Sequence, residues 1–444
     1  MAEPSHCKVS RIYFNYYLTN VEAQPQFGIN VMPEDLSRFP TLPYNAVAFP
    51  LDTTRGQQLK LHAEFTGPAN GSLLVRAVTI EDLQTTLTAV GVDTGKEELT
   101  GQIRLLGDVE PTRVDFDKDG NSYVPIDRSQ PNHPFQESGV IELTIEQSNI
   151  REIRADWQLW QWQFSADGGK TWQNAGGLLH EGISVHRIFV TKSAANWPWT
   201  SYEETIKTVE GRNFVSRPPQ VGLLEWACKW AQGETTEEGI ASRITARIFD
   251  CGRFRYGTGM NNYTSLFDSA YFDCGRFIDR LNGNFGRGPN VNCVDCAHMV
   301  ISLTNALGCD LQAGEIRNPD GSPIDLNPLT LIGYDKVTDL TTFQFHLIAI
   351  RPVAHLQEQY LVFDACTKFD MTIYKEIAQG DPDKGGRKLT PIQKKRHPAG
   401  IPLGQDVYSY GYLALLARRE DKQKDLGMEH GASQTFAIGS VKFF

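Results

Sequence analysis

The chain has 444 residues, 40% hydrophobic and 22% charged, with a formal charge of -10. That balance argues against nucleic acid or an anionic membrane as partner, and the length exceeds one ordinary domain, so two or three are expected. No stretch approaches the roughly 20 apolar residues of a membrane span, Met1-Ala2-Glu3-Pro4-Ser5-His6 has no secretory pattern, and 8 cysteines in so long a chain are too sparse for a disulfide scaffold. The expectation is a soluble, cytoplasmic protein with reduced thiols.

From 8 to 192, short β-rich runs separated by turn residues predict an antiparallel β-sandwich, taken as a first domain over 1–195. In its last part, Trp157-Gln158-Leu159-Trp160-Gln161-Trp162-Gln163-Phe164 largely alternates apolar with polar before Asp167-Gly168-Gly169-Lys170-Thr171-Trp172, which predicts a hairpin. The tryptophans are read as packing rather than as a sugar or peptide site, and His186 as structural. Asp115, Asp117 and Asp119, followed by Gly120, match the start of a calcium loop, where alternate carboxylates converge on a hard cation. The position that carries the bidentate Glu in such a loop holds Ile126, so an exposed acidic turn is favoured over an ion site; no cofactor is expected, with calcium at this turn as the alternative.

Trp197-Pro198-Trp199 and Arg217-Pro218-Pro219 mark 196–220 as a linker, leaving 221–444 as a second domain. Residues 221–249 look helical, with Leu223, Trp226, Ala227 and Trp230 on one stripe and Thr235-Thr236-Glu237-Glu238 resembling a helix start. The hexapeptide Phe-Asp-Cys-Gly-Arg-Phe occurs at 249–254 and again at 272–277, with no physical account from sequence. Over 292–308, Val294, Ala297, Val300, Ile301, Thr304 and Leu307 predict an amphipathic helix with Asn292 as N-cap and Gly308 as its stop. Strands are expected at 341–351, 359–365, 407–417 and 435–443, with an exposed loop at 379–400 that includes the basic patch Lys394-Lys395-Arg396.

Cys293 would occupy the first position of that helix, where unpaired N–H groups and the positive end of the dipole favour a thiolate. His346 and Asp364 follow on two runs joined by a loop around His355, and pairing about that midpoint sets His346 opposite Asp364. Cys, His and Asp together supply a nucleophile, its base and the base's orienter, the complement for acyl transfer through a thioester. The Cys293 N–H would serve a tetrahedral oxyanion, with the second donor unassigned. His298 points away from position 293 along the helix, and Cys296 is expected to pack inertly. An alternative use of Cys251, Cys274, Cys293 and Cys296 is a zinc site.

The pattern Cys-x-Asp-x-Ala at 293–297, a helix closing on Asn305-Ala306-Leu307-Gly308, a later His in a strand and an Asp in the next resemble the transglutaminase-like core shared by transglutaminases and bacterial cysteine proteases. The likeness covers 205–420. It implies an α+β, papain-like catalytic domain after the β-sandwich, with Cys293, His346 and Asp364 as catalytic residues and a peptide or protein as substrate. Val294 stands where animal transglutaminases carry Trp, so a protease or hydrolase outcome is expected as readily as crosslinking. A catalytically silent binding or scaffold protein is the alternative.

Overall fold

The computed structural model describes residues 6–16, 26–27, 45–51, 59–89, 104–123, 139–147, 151–177, 182–196, 199, 205–209, 212–216, 219–258, 263–265, 271–318, 320–353, 360–369, 398–403, 411–418 and 442–443. They form a mixed α+β protein, rich in sheet with few helices. The chain divides into two units, Met1–Ser193 and Ala194–Phe444.

In the first unit, β1 (Lys8–Tyr16), β3 (Lys60–Thr66) and β6 (Val140–Leu143) lie in that order within a five-stranded sheet. β2 (Asn45–Pro50), β8 (Ile183–Thr191), β7 (Arg154–Ser165), β4 (Ser72–Thr79) and β5 (Leu106–Phe116) lie in that order within an eight-stranded one. Val9, Phe14, Leu61 and Phe65 of the smaller sheet share one apolar cluster with Val75, Trp160, Trp162 and Ile188 of the larger. The indole of Trp162 donates to Ser184 Oγ at 2.8 Å, and Ser184 Oγ lies 2.8 Å from His186 Nε2. Two departures from the sequence expectation concern this unit. The sheets are not wholly antiparallel, since β2 runs parallel to β8 and Gly176–Gly177 parallel to β1; a parallel neighbour needs a long return connection, which short-range alternation does not reveal. Nor does β7 simply alternate: Trp157 and Leu159 pack with Leu83 and Leu87 of α1 (Leu83–Ala89) on the far face, so the strand is covered on both sides. The turn after it has Gly168 and Gly169 at positive φ and Asp167 Oδ1 accepting from Lys170 N (3.0 Å) and Thr171 N (2.9 Å).

The second unit is built on three packed helices, α2 (Val221–Ala231), α3 (Glu237–Asp250) and α5 (Cys293–Ala306), with α5 against a four-stranded antiparallel sheet. Thr236 caps α3 by accepting from Gly239 N at 3.1 Å. The sheet order is β11 (Gln312–Ile316), β12 (His346–Pro352), β13 (Tyr360–Phe363) and β15 (Ala399–Pro402). Two short strands, β9 (Arg255–Tyr256) and β10 (Asn290–Val291), pair in parallel just before α5. β14 (Thr367–Phe369) pairs with Leu329–Leu331. Asn196 N donates to Asn305 O at 2.8 Å and the Trp199 indole to Ser302 O at 2.8 Å, tying two residues read from sequence as linker to α5.

α5 corrects the expectation of an amphipathic helix: all of its residues are buried. A helix covered all round need not show one apolar stripe, and its polar groups find partners inside. Ser302 and Thr304 bond back to the carbonyls of His298 (2.6 Å) and Val300 (2.8 Å), while the Asn305 amide exchanges hydrogen bonds with Leu311 N and O. The repeated hexapeptide proves to take two conformations. Its first copy ends α3, with Gly252 at φ 68 stopping the helix. Its second starts α4 (Cys274–Leu281), with Asp273 as N-cap accepting from Arg276 N at 3.1 Å. The last Phe of each copy meets its counterpart, Phe254 stacking on Phe277 with ring centroids 5.8 Å apart. The strand expected at 407–417 is corrected as well: Tyr412–Leu416 is a short helix, α6, and every residue of it is buried. Of 435–443, only Lys442–Phe443 is described, as a strand pairing with Tyr271–Phe272. His355, Ile126 and the basic patch at 394–396 lie outside the described residues.

Candidate active site

Asn292 enters α5 in extended conformation, and its side-chain oxygen accepts from Val294 N at 3.0 Å and Asp295 N at 3.1 Å. Asp295 returns the bond by accepting from Asn292 N at 3.4 Å, completing a capping box. Its other oxygen accepts from Tyr263 N (3.1 Å) and Thr264 N (2.7 Å). The buried carboxylate of the Cys-x-Asp motif is therefore a clasp between the helix start and the segment before α4. Cys296 N donates to Asn292 O at 3.0 Å. The donor left over in the first turn is the N–H of Cys293, whose residue is 5% exposed.

His346 opens β12 and is fully buried. Its ring is stacked on Phe343 with centroids 4.8 Å apart, and the Tyr412 ring lies nearly parallel to it at 6.4 Å. Nε2 lies 3.0 Å from Asp364 Oδ2, and Nδ1 is buried without a hydrogen bond. The Cys293 thiol neighbours the same ring and adds to its proton affinity. With Nε2 taken by the carboxylate, Nδ1 is the nitrogen open to the sulfur. Burial opposes a charge on this imidazole, but Asp364 and Cys293 outweigh it and hold the proton up to about 10. Burial likewise opposes the Asp364 carboxylate, and the His346 ring, Thr367 and Tyr412 outweigh that to keep its pKa below the ordinary value.

The structure thus brings Cys293, His346 and Asp364 together, by a register different from the expected one. Ala349 pairs with Phe363, and Ile350 with Val362, where pairing about position 355 would have set Ala349 against Leu361. A shift of two keeps every side chain on its face. Asp364 lies past the end of that ladder, donating its N–H to Pro398 O at 2.9 Å, and reaches His346 diagonally.

Four residues at the site carried no sequence signal. Tyr412 donates to Asp364 Oδ2 at 2.6 Å and Thr367 Oγ1 to the same oxygen at 2.5 Å, while Cys366 N donates to Oδ1 at 2.7 Å. Tyr256, on the strand paired with β10, has its ring 6.2 Å from that of Phe343. Its phenol is held protonated by burial and by the neighbouring Cys366, Cys293, Cys296 and Asp364. Tyr256 belongs to a two-residue strand, and Tyr412 to a segment whose pattern reads as β; neither has a motif to find it by.

The other singled-out residues have partners of their own. Cys296 is fully buried, shares a thiol hydrogen bond with Cys366, and burial pushes its pKa up. Cys251 donates to Ile248 O at 3.1 Å. Among the described residues no group of three or more His, Cys, Asp or Glu is placed to hold a metal. In the acidic turn, Asp117 Oδ1 accepts from Asp119 N (2.8 Å) and Asn121 N (2.9 Å), and Asp115 pairs with Arg113 at 3.1 Å. His298 is buried with Nδ1 3.2 Å from Thr264 Oγ1. No described helix is long and apolar enough to cross a membrane.

No protein-family model and no curated protein matches the chain. Among solved structures, it is similar to red sea bream transglutaminase, at 10% identity and a TM-score of 0.32, over 72% of this chain and 49% of that one. It is also similar to a two-domain protein of unknown function from Bacteroides fragilis, at 10% identity and a TM-score of 0.20, over 46% of this chain and 53% of that one. The chain spans about half the length of each. At such similarity the site's own geometry has to carry the functional reading.

Proposed function

We propose that this chain is a thiol-dependent amide hydrolase or acyltransferase acting on a peptide or protein, with Cys293 as nucleophile, His346 as general base and acid, and Asp364 as the group that orients the imidazole. The observation that carries the reading is the fully buried His346 ring, bonded through Nε2 to Asp364 with Nδ1 left to Cys293. The resemblance of 293–297 to the transglutaminase-like core fits the same chemistry, and with it a papain-like catalytic domain following a β-sandwich.

In this mechanism the Cys293 proton passes to His346, and the thiolate attacks a carboxamide carbon to form a C–S bond. The oxyanion is held by the Cys293 N–H and by the Tyr256 hydroxyl, the donor that sequence left unassigned. His346 then protonates the leaving nitrogen as the C–N bond breaks, leaving a thioester. Water or a second amine, deprotonated by the same ring, attacks the thioester and releases the thiol.

An electrophilic alkylating probe is expected to label Cys293 and not Cys296 or Cys366, and Cys293→Ala to abolish turnover of a peptide amide. His346→Ala should lower turnover, measured on protein confirmed to be folded, by about 10²–10⁴. Full activity in Cys293→Ala would sink the proposal. The 5% exposure of Cys293 also favours a second reading, a binding protein that keeps its triad closed; failure of the probe to label folded protein at any pH would select it.

A further inference from the structure

Oδ2 of Asp364 is shared by three groups: His346 Nε2 at 3.0 Å, the Tyr412 hydroxyl at 2.6 Å and the Thr367 hydroxyl at 2.5 Å. Oδ1 accepts only the backbone N–H of Cys366, at 2.7 Å, while all three side-chain partners converge on the oxygen that faces the imidazole. Tyr412 is fully buried and arrives on a helix that the chain takes trouble to hold. The Asn327 amide donates to Ala414 O (3.3 Å), Leu415 O (3.1 Å) and Ala417 O (2.7 Å), and Asn327 N donates to Leu416 O at 2.9 Å. Burial and the facing carboxylate keep the phenol protonated, and hence a donor, well beyond neutral pH. The other titratable groups facing Asp364 are Cys296 from α5, Cys366 beside it and Tyr256 from β9, and burial favours the neutral form of each.

We propose that Tyr412, with Thr367 beside it, is a positioning residue: by sharing Oδ2 with His346 it fixes the plane of the ring and limits how tightly the carboxylate holds the imidazole proton. This rests on reading Cys293, His346 and Asp364 as a catalytic set. A carboxylate relieved of one donor concentrates its charge on the remaining partners, so loss of the phenol strengthens its hold on the imidazolium. The consequence is an over-basic ring, slow to release its proton to a leaving nitrogen.

The test uses the full chain and iodoacetate, an anion whose attack on the Cys293 thiolate is helped by the adjacent imidazolium. The rate should fall on the alkaline side as the ring loses its proton. Tyr412→Phe keeps the ring and removes the hydroxyl; it is expected to move that alkaline edge upward by about one pH unit, the scale of one hydrogen bond to a charged group. Thr367→Val should move it the same way and Thr367→Ser should restore it, a pattern that a packing role alone would not give. A folded Tyr412→Phe protein whose profile overlays the wild type, or shifts downward, overturns the inference while leaving the triad standing. An alkaline edge that survives in His346→Gln overturns the triad and this inference with it.

Discussion

At the scale of single residues the site is dominated by one buried ion pair, and its sign with pH is fixed by the two partners. His346, raised from 6.5 to about 10, contributes stability that is whole below 6.5 and is lost as pH rises toward 10. Asp364, lowered from 3.8, contributes stability that is whole above 3.8 and is lost as pH falls through its depressed value. Both contributions are complete only between about 4 and 6.5. Asp364→Asn removes one partner of a fully buried pair, which typically costs about 3–5 kcal/mol. Urea unfolding near pH 6 should show a loss of that order, and the gap to wild type should narrow as pH approaches 10. A loss below about 1 kcal/mol at pH 6 would mean that the pair is not coupled as its geometry requires.

Among the elements, α5 separates what local chemistry announces from what tertiary structure decides. Its ends were legible, because a cap and a stop are local: Asn292 bonds two N–H groups of its own first turn, and Gly308 takes a φ of 86 at the far end. Its burial was not, because polar residues in a helix ordinarily face water, whereas here they are satisfied by partners from elsewhere, Asp295 by Tyr263 and Thr264, His298 by Thr264, Asn305 by Leu311. The same divide explains α6, whose short apolar run suits a strand and a buried helical turn equally until its neighbours choose, and the hexapeptide, where one sequence closes α3 and opens α4 according to what precedes it. His346 and Asp364 were legible as residues of one face, since a two-residue slip preserves the face, but not as a diagonal pair. Asn292→Ala should lower stability by about 1 kcal/mol and slow alkylation of Cys293, because the first turn that presents the thiol loses its anchor. Asn292→Asp should keep both, and an unchanged alkylation rate in the alanine protein would detach the thiol's reactivity from the cap.

Across the whole molecule, each unit buries a neutral histidine that the proposed chemistry does not use, and this sets an acid limit distinct from that of the triad. His186 lies among Trp160, Phe14 and Ser184 in the first unit, and burial lowers its pKa to about 3. His298 lies between Phe272 and Thr264 in the second, and burial lowers its pKa to about 4. Unfolding frees both rings to take up a proton below 6.5, so the unfolded chain binds more protons and stability falls with pH from 6.5 downward. His346 has the opposite sign, and its contribution no longer changes below 6.5, so it cannot offset the loss. Each buried ring should cost its unit about 1.4 kcal/mol per pH unit in that window, or about 2 kcal/mol by pH 5. Calorimetry should therefore show a lower melting temperature at about pH 5 than at about pH 7. His186→Gln keeps a polar group near Ser184 but cannot be protonated, so the acid shift of the first unit should shrink in that protein. If it stays as large as in wild type, the sensitivity arises from carboxylates elsewhere in the chain and not from the buried imidazole.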